Sequence, residues 1–590
     1  MGTAQSTLEK NGYVLQKETE NAIIPNNAVV ATKGDDTFLI KTIILQRTVS
    51  YDDTALNKEI EIIKGTSHPH IVSSRDSFKD EQDKICIVLD YCQGGNLAAK
   101  ITDSSESEVL SWIVEICMAL KAIHEKGLLH KHLTPENISF TKFGIVCLGN
   151  FGKIHENLKN TKSTTNLEET TYLPPEVFTE GTYDEKGDIW SMGCIIWELC
   201  TKKPAFSAET TITLMPKVIS GPCPSLPKKF PPELHQLLND MFSRDPQSRP
   251  TASEILERPF IIRCLLNKTK TTMVELQTKL TMLRDVADDL ERVHQGATIG
   301  SLAGGVIGAV GGITSIVGLI LSPFTLGASL IVTGVGVGVS AVGGVTAGAS
   351  NLKNMVNQSS DRKAVKSILQ EFEQKIQAVV TWLQEIGNSL QNIRSRCGSA
   401  DMHDTEDSQL NTDHLTRLGF RAGRGIGSIA ELVRLVQVLN IGRIAAQASR
   451  AVRVAEVATG VLSGLFIAVD IFFIAMDAKE IHHIRQAQDA EGHAPSESVF
   501  ETDDTMSTFD QAALLPSSVM QVHKSDTSQE QDQSSKDTTP VRSEIMRFVR
   551  SIREAANNLQ TVLDELNHII SSIPSLEVQS DNEWKDMELM

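Results

Sequence analysis

The chain has 590 residues, enough for several domains, so core size is no obstacle. Its 56 Lys and Arg against 74 Asp and Glu leave a net charge of −18, which excludes a general nucleic-acid binder working through a basic surface. Of nine Cys, eight precede residue 265, and none pair as C-x-x-C, a pattern of free thiols in a reducing compartment.

Residues 1–12 read as an N-terminal segment. No apolar run follows Met1, so the expectation is a cytoplasmic protein not secreted by a signal peptide. Gly2, in Met1-Gly2-Thr3-Ala4-Gln5-Ser6, fits the myristoylation pattern. A single acyl chain holds a membrane only marginally and needs a second contact.

Residues 13–264 mix short β-branched runs (Thr37–Leu45, Lys84–Leu89) with longer helical stretches, the alternation of a two-lobed α+β domain. Phe38-Leu39-Ile40-Lys41 stands where protein kinases carry V-A-I-K, and Glu59 lies on a predicted helix before His68-Pro69-His70-Ile71-Val72. Then follow a hinge-like Ile87–Cys92 with Gly94-Gly95, the series His130-Lys131-His132-Leu133-Thr134-Pro135-Glu136-Asn137, Leu148-Gly149-Asn150-Phe151-Gly152, and Pro174-Pro175-Glu176. Asp188-Ile189-Trp190 and Arg249 complete the set. In this order the motifs resemble a NIMA-related (Nek) Ser/Thr kinase domain.

The resemblance implies that Lys41 grips phosphates and pairs with Glu59, that Asn137 holds a Mg²⁺, and that Glu176, Asp188 and Arg249 brace the larger lobe. The catalytic base is replaced by His132, the catalytic-loop lysine by Thr134 and the metal-binding aspartate by Asn150. The phosphate-covering loop around Glu18–Asn27 contains no glycine, so its backbone approaches phosphates less closely. Leu39 crowds the adenine ring, and Ser139 replaces its apolar floor. The expectation is a pseudokinase that requires no cofactor. Lys41, Glu59 and Asn137 would be a vestigial, weak ATP/Mg²⁺ site, with Asn137 and Asn150 the only metal ligands. Against it stands an active kinase using His132 as base, since imidazole titrates near neutrality.

Residues 265–485 shift to long helices. Thr272–Arg292 and Ala364–Ile393 are amphipathic, with apolar residues three to four apart. Between them, Val293–Leu352 contains no Asp, Glu, Lys or Arg. Two Gly-rich arms, Thr298–Leu321 and Leu326–Ala349, flank Pro323, and each as a helix would be roughly 36 Å long, enough to span a bilayer core. Gly300, Gly304, Gly308 and Gly312 on one arm, and Gly344 and Gly348 on the other, allow close backbone approach in lipid. Three arrangements fit this hairpin (298–349): storage in a bundle with conditional insertion, permanent insertion, or a buried soluble core.

Leu283–Thr298 with the hairpin, together with Asp470–Ala478, is similar to the apolipoprotein L family, over about Met273–Ile484. That resemblance implies lipid binding, membrane insertion and, in some members, channel behaviour. Seven arginines within Arg417–Arg453 suit an interfacial helix on anionic lipid, or a solvated face on acidic neighbours. The apolar run Val457–Met476 is interrupted by Asp470 and bounded by Asp477. Ionised carboxylates oppose insertion, so acid should favour it, unless Asp470 is paired inside a soluble bundle.

Residues 486–540 read as a disordered tether. Residues 541–575 form an amphipathic helix for a coiled-coil contact or for docking back onto the core, and 576–590 an acidic tail. The sequence therefore predicts a multidomain protein: a two-lobed α+β kinase-like domain followed by an all-α membrane-active helical domain. Its expected partners are lipid membranes, anionic ones above all, and a protein met through the C-terminal helix or the pseudokinase domain, with no nucleic acid. The alternatives are a membrane-tethered Ser/Thr kinase using ATP and a lipid-transport apolipoprotein.

Overall fold

The computed structural model describes residues 7–16, 28–34, 36–43, 61–80, 84–149, 170–300, 347–398, 441–491 and 540–573. The chain divides into two compact units. One comprises Met1–Thr281, Leu369–Leu462 and Asn557–Met590; the other comprises Met282–Ile368 and Ser463–Ala556.

The first unit opens with strands β1 (Val14–Leu15), β2 (Ala28–Lys33), β3 (Asp36–Ile43), β4 (Ser74–Lys79) and β5 (Ile85–Asp90), which form an antiparallel sheet in the order β1-β2-β3-β5-β4. The two-residue period of β5 explains its position. Cys86 and Val88 join a cluster with Leu8, Tyr13, Ala31 and Ile40, while Ile85, Ile87 and Leu89 join Val72 and Cys147 on the other face. Leu8 thus makes residues 7–12 part of this lobe, whereas the sequence set 1–12 apart as a separate segment.

The larger lobe begins with α1 (Glu106–His124), which starts at a capping box between Ser105 and Glu108. A small hairpin, β6 (Ile138–Phe140) with β7 (Val146–Leu148), follows. Then come α2 (Pro175–Thr179), α3 (Glu185–Thr201), α4 (Thr211–Ser220), α5 (Pro232–Met241) and α6 (Ala252–Leu256). Both α1 and α3 bury residues on nearly every side, as helices at a lobe's centre must.

Four long helices complete the described chain: α7 (Pro259–Gly300), α8 (Ala347–Gly398), α9 (Ile441–Glu491) and α10 (Pro540–Ser571). Helix α7 starts well before the expected Thr272 because Phe260, Ile261, Ile262, Leu265 and Leu266 already bury one face. Helix α9 continues to Glu491, past the boundary expected at 485.

Helix α10 docks back, the second of its two expected roles. Within the first unit Gln560 and Gln277 exchange amide hydrogen bonds at 2.9 and 3.0 Å, and Arg450 pairs with Glu565. Arg450 therefore follows the solvated-face reading of the basic stretch. In the second unit Phe548 stacks on Phe472 with centroids 4.2 Å apart, and Arg553 meets Asp288 at 2.7 Å and also Glu291.

Of the hairpin glycines, Gly300 ends α7 and Gly348 lies in the first turn of α8. Gly304, Gly308, Gly312, Pro323 and Gly344 fall outside the described residues, as do Gly2, Glu59, Asn150 and the glycine-free loop.

Candidate functional site

The loop 130–137 is anchored on Asp188, near the start of α3 and fully buried. Its carboxylate accepts from the amides of His130 and Lys131, both at 2.9 Å, from the Tyr183 hydroxyl at 2.7 Å, and from His124 Nε2 at 2.9 Å. Burial works to raise its pKa, but the hydrogen bond and charge of His124, helped by His130 and Tyr183, outweigh burial and hold it below the ordinary value. Aiming two successive amides at one carboxylate requires Lys131 to take φ of 62°, a left-handed conformation unusual for a non-glycine.

The catalytic loop keeps its shape around this anchor. Asn137 Nδ2 donates to the His132 carbonyl at 2.8 Å, and Gly149 N donates to the Asn137 carbonyl at 3.2 Å. His130 Nε2 lies 3.1 Å from the Gly149 carbonyl, which fixes the residue just before Asn150. Thr134 is buried, and His132 is half-buried. His132, Thr134 and Asn137 thus lie in one loop, which Asp188 of α3 holds through the His130 and Lys131 amides.

Glu176 and Arg249 form a separate structural clamp. Two bonds of 2.7 Å join the guanidinium to the carboxylate, both groups are buried, and Arg249 lies over the Trp190 ring.

Lys41 is buried on β3. Its neighbour Leu39 packs against the cluster of Val72, Ile85, Ile87, Leu89 and Cys147, with Cys92 on the same cluster. A hydrogen bond with Cys92, then burial, raises the Cys147 thiol pKa well above its ordinary value. Gly94 lies so close to the next strand that a Cβ there would come within 2.4 Å of the Thr141 carbonyl oxygen. Leu39 and Cys92 thus sit together against one apolar cluster, and an imidazole, His132, stands at the position of the catalytic base.

A second constellation escaped the sequence. Trp382 of α8 donates from Nε1 to His70 Nε2 at 2.8 Å, and His70 Nδ1 lies 2.9 Å from the Val146 carbonyl. Beneath them Glu115 of α1 is fully buried, 3.1 Å from Lys268 Nζ. Burial raises the Glu115 pKa against the opposing pull of Lys268. The one available signal was an acid, Glu385, beside a tryptophan on the apolar face of a predicted helix.

The apolar run near Asp470 is helical. Ser449–Ala475 within α9 is long and apolar enough to cross a membrane, and 33% of its most apolar window is buried. Asp470 does not stand alone there: its carboxylate meets Lys366 at 2.8 Å in the second unit. Asp477 lies further along the same helix.

A two-lobed protein kinase domain and a set of long apolar helices are the classes this architecture defines. Residues 27–261 match the protein kinase domain family, and residues 234–493 match apolipoprotein L. Serine/threonine-protein kinase Nek1 of Mus musculus is 36% identical over 256 residues, covering 42% of this chain and 21% of that protein. Nek4 of Mus musculus is 33% identical over 243 residues, 40% of this chain and 31% of its own. Nek11 of Homo sapiens is 30% identical over 279 residues, 45% and 43% of the respective chains. This chain thus spans well under half of these relatives. It carries a protein kinase domain with Nek homologues, followed by an apolipoprotein L domain.

Proposed function

We propose that this protein binds and enters lipid membranes, anionic ones first, through its apolipoprotein L domain, with the kinase-like domain serving as a catalytically impaired scaffold and regulator. The observation carrying this reading is the outer face of α9. Val457, Ile467, Ile471 and Ile474 are each more than half exposed on a helix long enough to span a bilayer. Replacement of the catalytic base by His132 and the crowding by Leu39 support the loss of phosphoryl transfer. Myristate on Gly2 would supply a second, weaker membrane contact. Anionic vesicles mixed with the full chain, followed by sedimentation and dye-leakage measurement, test the reading; a protein that stays in the supernatant at every pH refutes it.

A second reading is an active membrane-tethered Ser/Thr kinase. It is favoured by the intact frame of Asp188, His130 and Asn137 around the catalytic loop. Transfer of labelled γ-phosphate to a general substrate by the full chain, abolished by His132→Ala, would establish it.

A further inference from the structure

The Leu369–Ile393 stretch of α8 and the kinase-like lobe belong to one compact unit, and their contacts have a particular layout. At the centre sits Trp382, 2% exposed, its ring nearly parallel to that of His70 and 5.2 Å from Lys268 Nζ. Around it lie polar pairs. Lys121 Nζ meets both carboxylate oxygens of Glu385 at 2.8 Å, Lys142 Nζ meets Gln370 Oε1 at 2.8 Å, and Asn392 Nδ2 meets Glu257 Oε1 at 3.0 Å.

One buried aromatic anchor inside a ring of polar pairs is the layout of an association surface between separable bodies. The polar partners also lower the cost of separation: on undocking, the indole N–H and the Lys121 and Glu385 charges regain water, which offsets part of the lost apolar burial.

The anchor also reaches loop 130–137. The His70 carbonyl accepts from Leu148 N at 2.9 Å, Val72 N donates to the Leu148 carbonyl at 2.9 Å, and the next residue, Gly149, donates its N–H to the Asn137 carbonyl of the catalytic loop at 3.2 Å.

We infer that Trp382–His70 and Glu385–Lys121 form a latch by which the kinase-like lobe retains α8, and that opening it is the step that frees the helical domain to enter a membrane. This rests on the membrane reading above.

The test uses the full chain as wild type, Trp382→Ala, Lys121→Glu, and Lys121→Glu combined with Glu385→Lys. Hydrogen exchange over residues 369–393 and co-sedimentation with vesicles of equal phosphatidylcholine and phosphatidylserine are read in parallel. Each single substitution should speed exchange there by roughly tenfold or more and raise vesicle binding several-fold. The reversed pair should return both to wild-type levels, which shows that Lys121→Glu acts through the ion pair rather than by misfolding and keeps the test valid should Trp382→Ala fail to fold. Unchanged exchange in both single variants overturns the latch. So does faster exchange with no gain in binding when the wild type itself binds. If no form binds vesicles, wild type included, the membrane reading falls and the release step falls with it.

Discussion

Helices α8 and α9 are of nearly equal length and both are rich in apolar residues, yet they are used in opposite ways. Helix α8 turns Trp382, Leu383, Ile386 and Leu390 into buried positions, each 2% exposed or less. Helix α9 leaves Ile467 61% exposed and Ile471 55% exposed among the described residues. The contrast shows that hydropathy alone does not distinguish a helix held by a protein partner from one left available. On α8 the Trp382 N–H and the Glu385 carboxylate each have a matched acceptor or cation on the lobe, which fixes register and orientation.

The largest effect expected from breaking this contrast is Trp382→Ala, which should lower stability by about 3–5 kcal/mol through lost burial and an unfilled cavity, measured by denaturant unfolding of the full chain. Removing one charge of the Lys121–Glu385 pair comes next. With only 12% and 11% of these side chains exposed, Lys121→Met strands a carboxylate and should lower stability by about 2–4 kcal/mol, seen as a lower midpoint at unchanged slope.

Acid should act in the same direction. Burial, the largest cause, takes His70 and His68 from 6.5 down to about 3; Lys268 adds to this at His70, while His70, Lys126 and Lys121 do so at His68. The bond from His70 to the Val146 carbonyl opposes the shift. Unfolded chains accept these protons near 6.5 and the folded lobe does not, so the stabilisation is complete above 6.5 and declines as pH falls toward 3. Glu115, raised by burial, works oppositely: its contribution is fullest in acid and is lost as pH rises. Melting temperature followed from pH 7 downward should therefore fall less steeply for His68→Gln than for wild type.

The smallest stability change belongs to α9. Ile471→Asn should leave stability within about 0.5 kcal/mol, because the site is exposed, while reducing vesicle binding several-fold. Equal binding by this variant would mean that the exposed face is not the one that meets lipid.

The kinase-like lobe was readable because its motifs are short, ordered and tied to fixed backbone tasks. Asp188 and the Glu176–Arg249 clamp fall where the motifs put them. The amphipathic periods of α7, α8 and α10 likewise announced their buried faces. Periodicity states that a face is covered, not by what. The Trp382–His70 bond joins residues 312 positions apart, and no local pattern encodes it. His70 was legible only as part of His68-Pro69-His70, a motif that carries no task of its own in the sequence. Asp470 illustrates the same limit, since its partner Lys366 lies on another helix. Glu59, Asn150 and the glycine arms lie outside the described residues, so the expectations attached to them stand as sequence readings.

The burial of Glu115 bears on how the molecule is taken apart. The kinase family match stops at residue 261, but the lysine that neutralises this carboxylate is Lys268, and the indole roofing the neighbouring imidazole is Trp382. A fragment cut at the end of the family match would leave Glu115 without Lys268 and His70 without Trp382, and should be less stable than the whole unit. The compact unit that holds the lobe is discontinuous along the chain, so versions of the protein that keep residues 369–393 should be more stable than a fragment ending at 261.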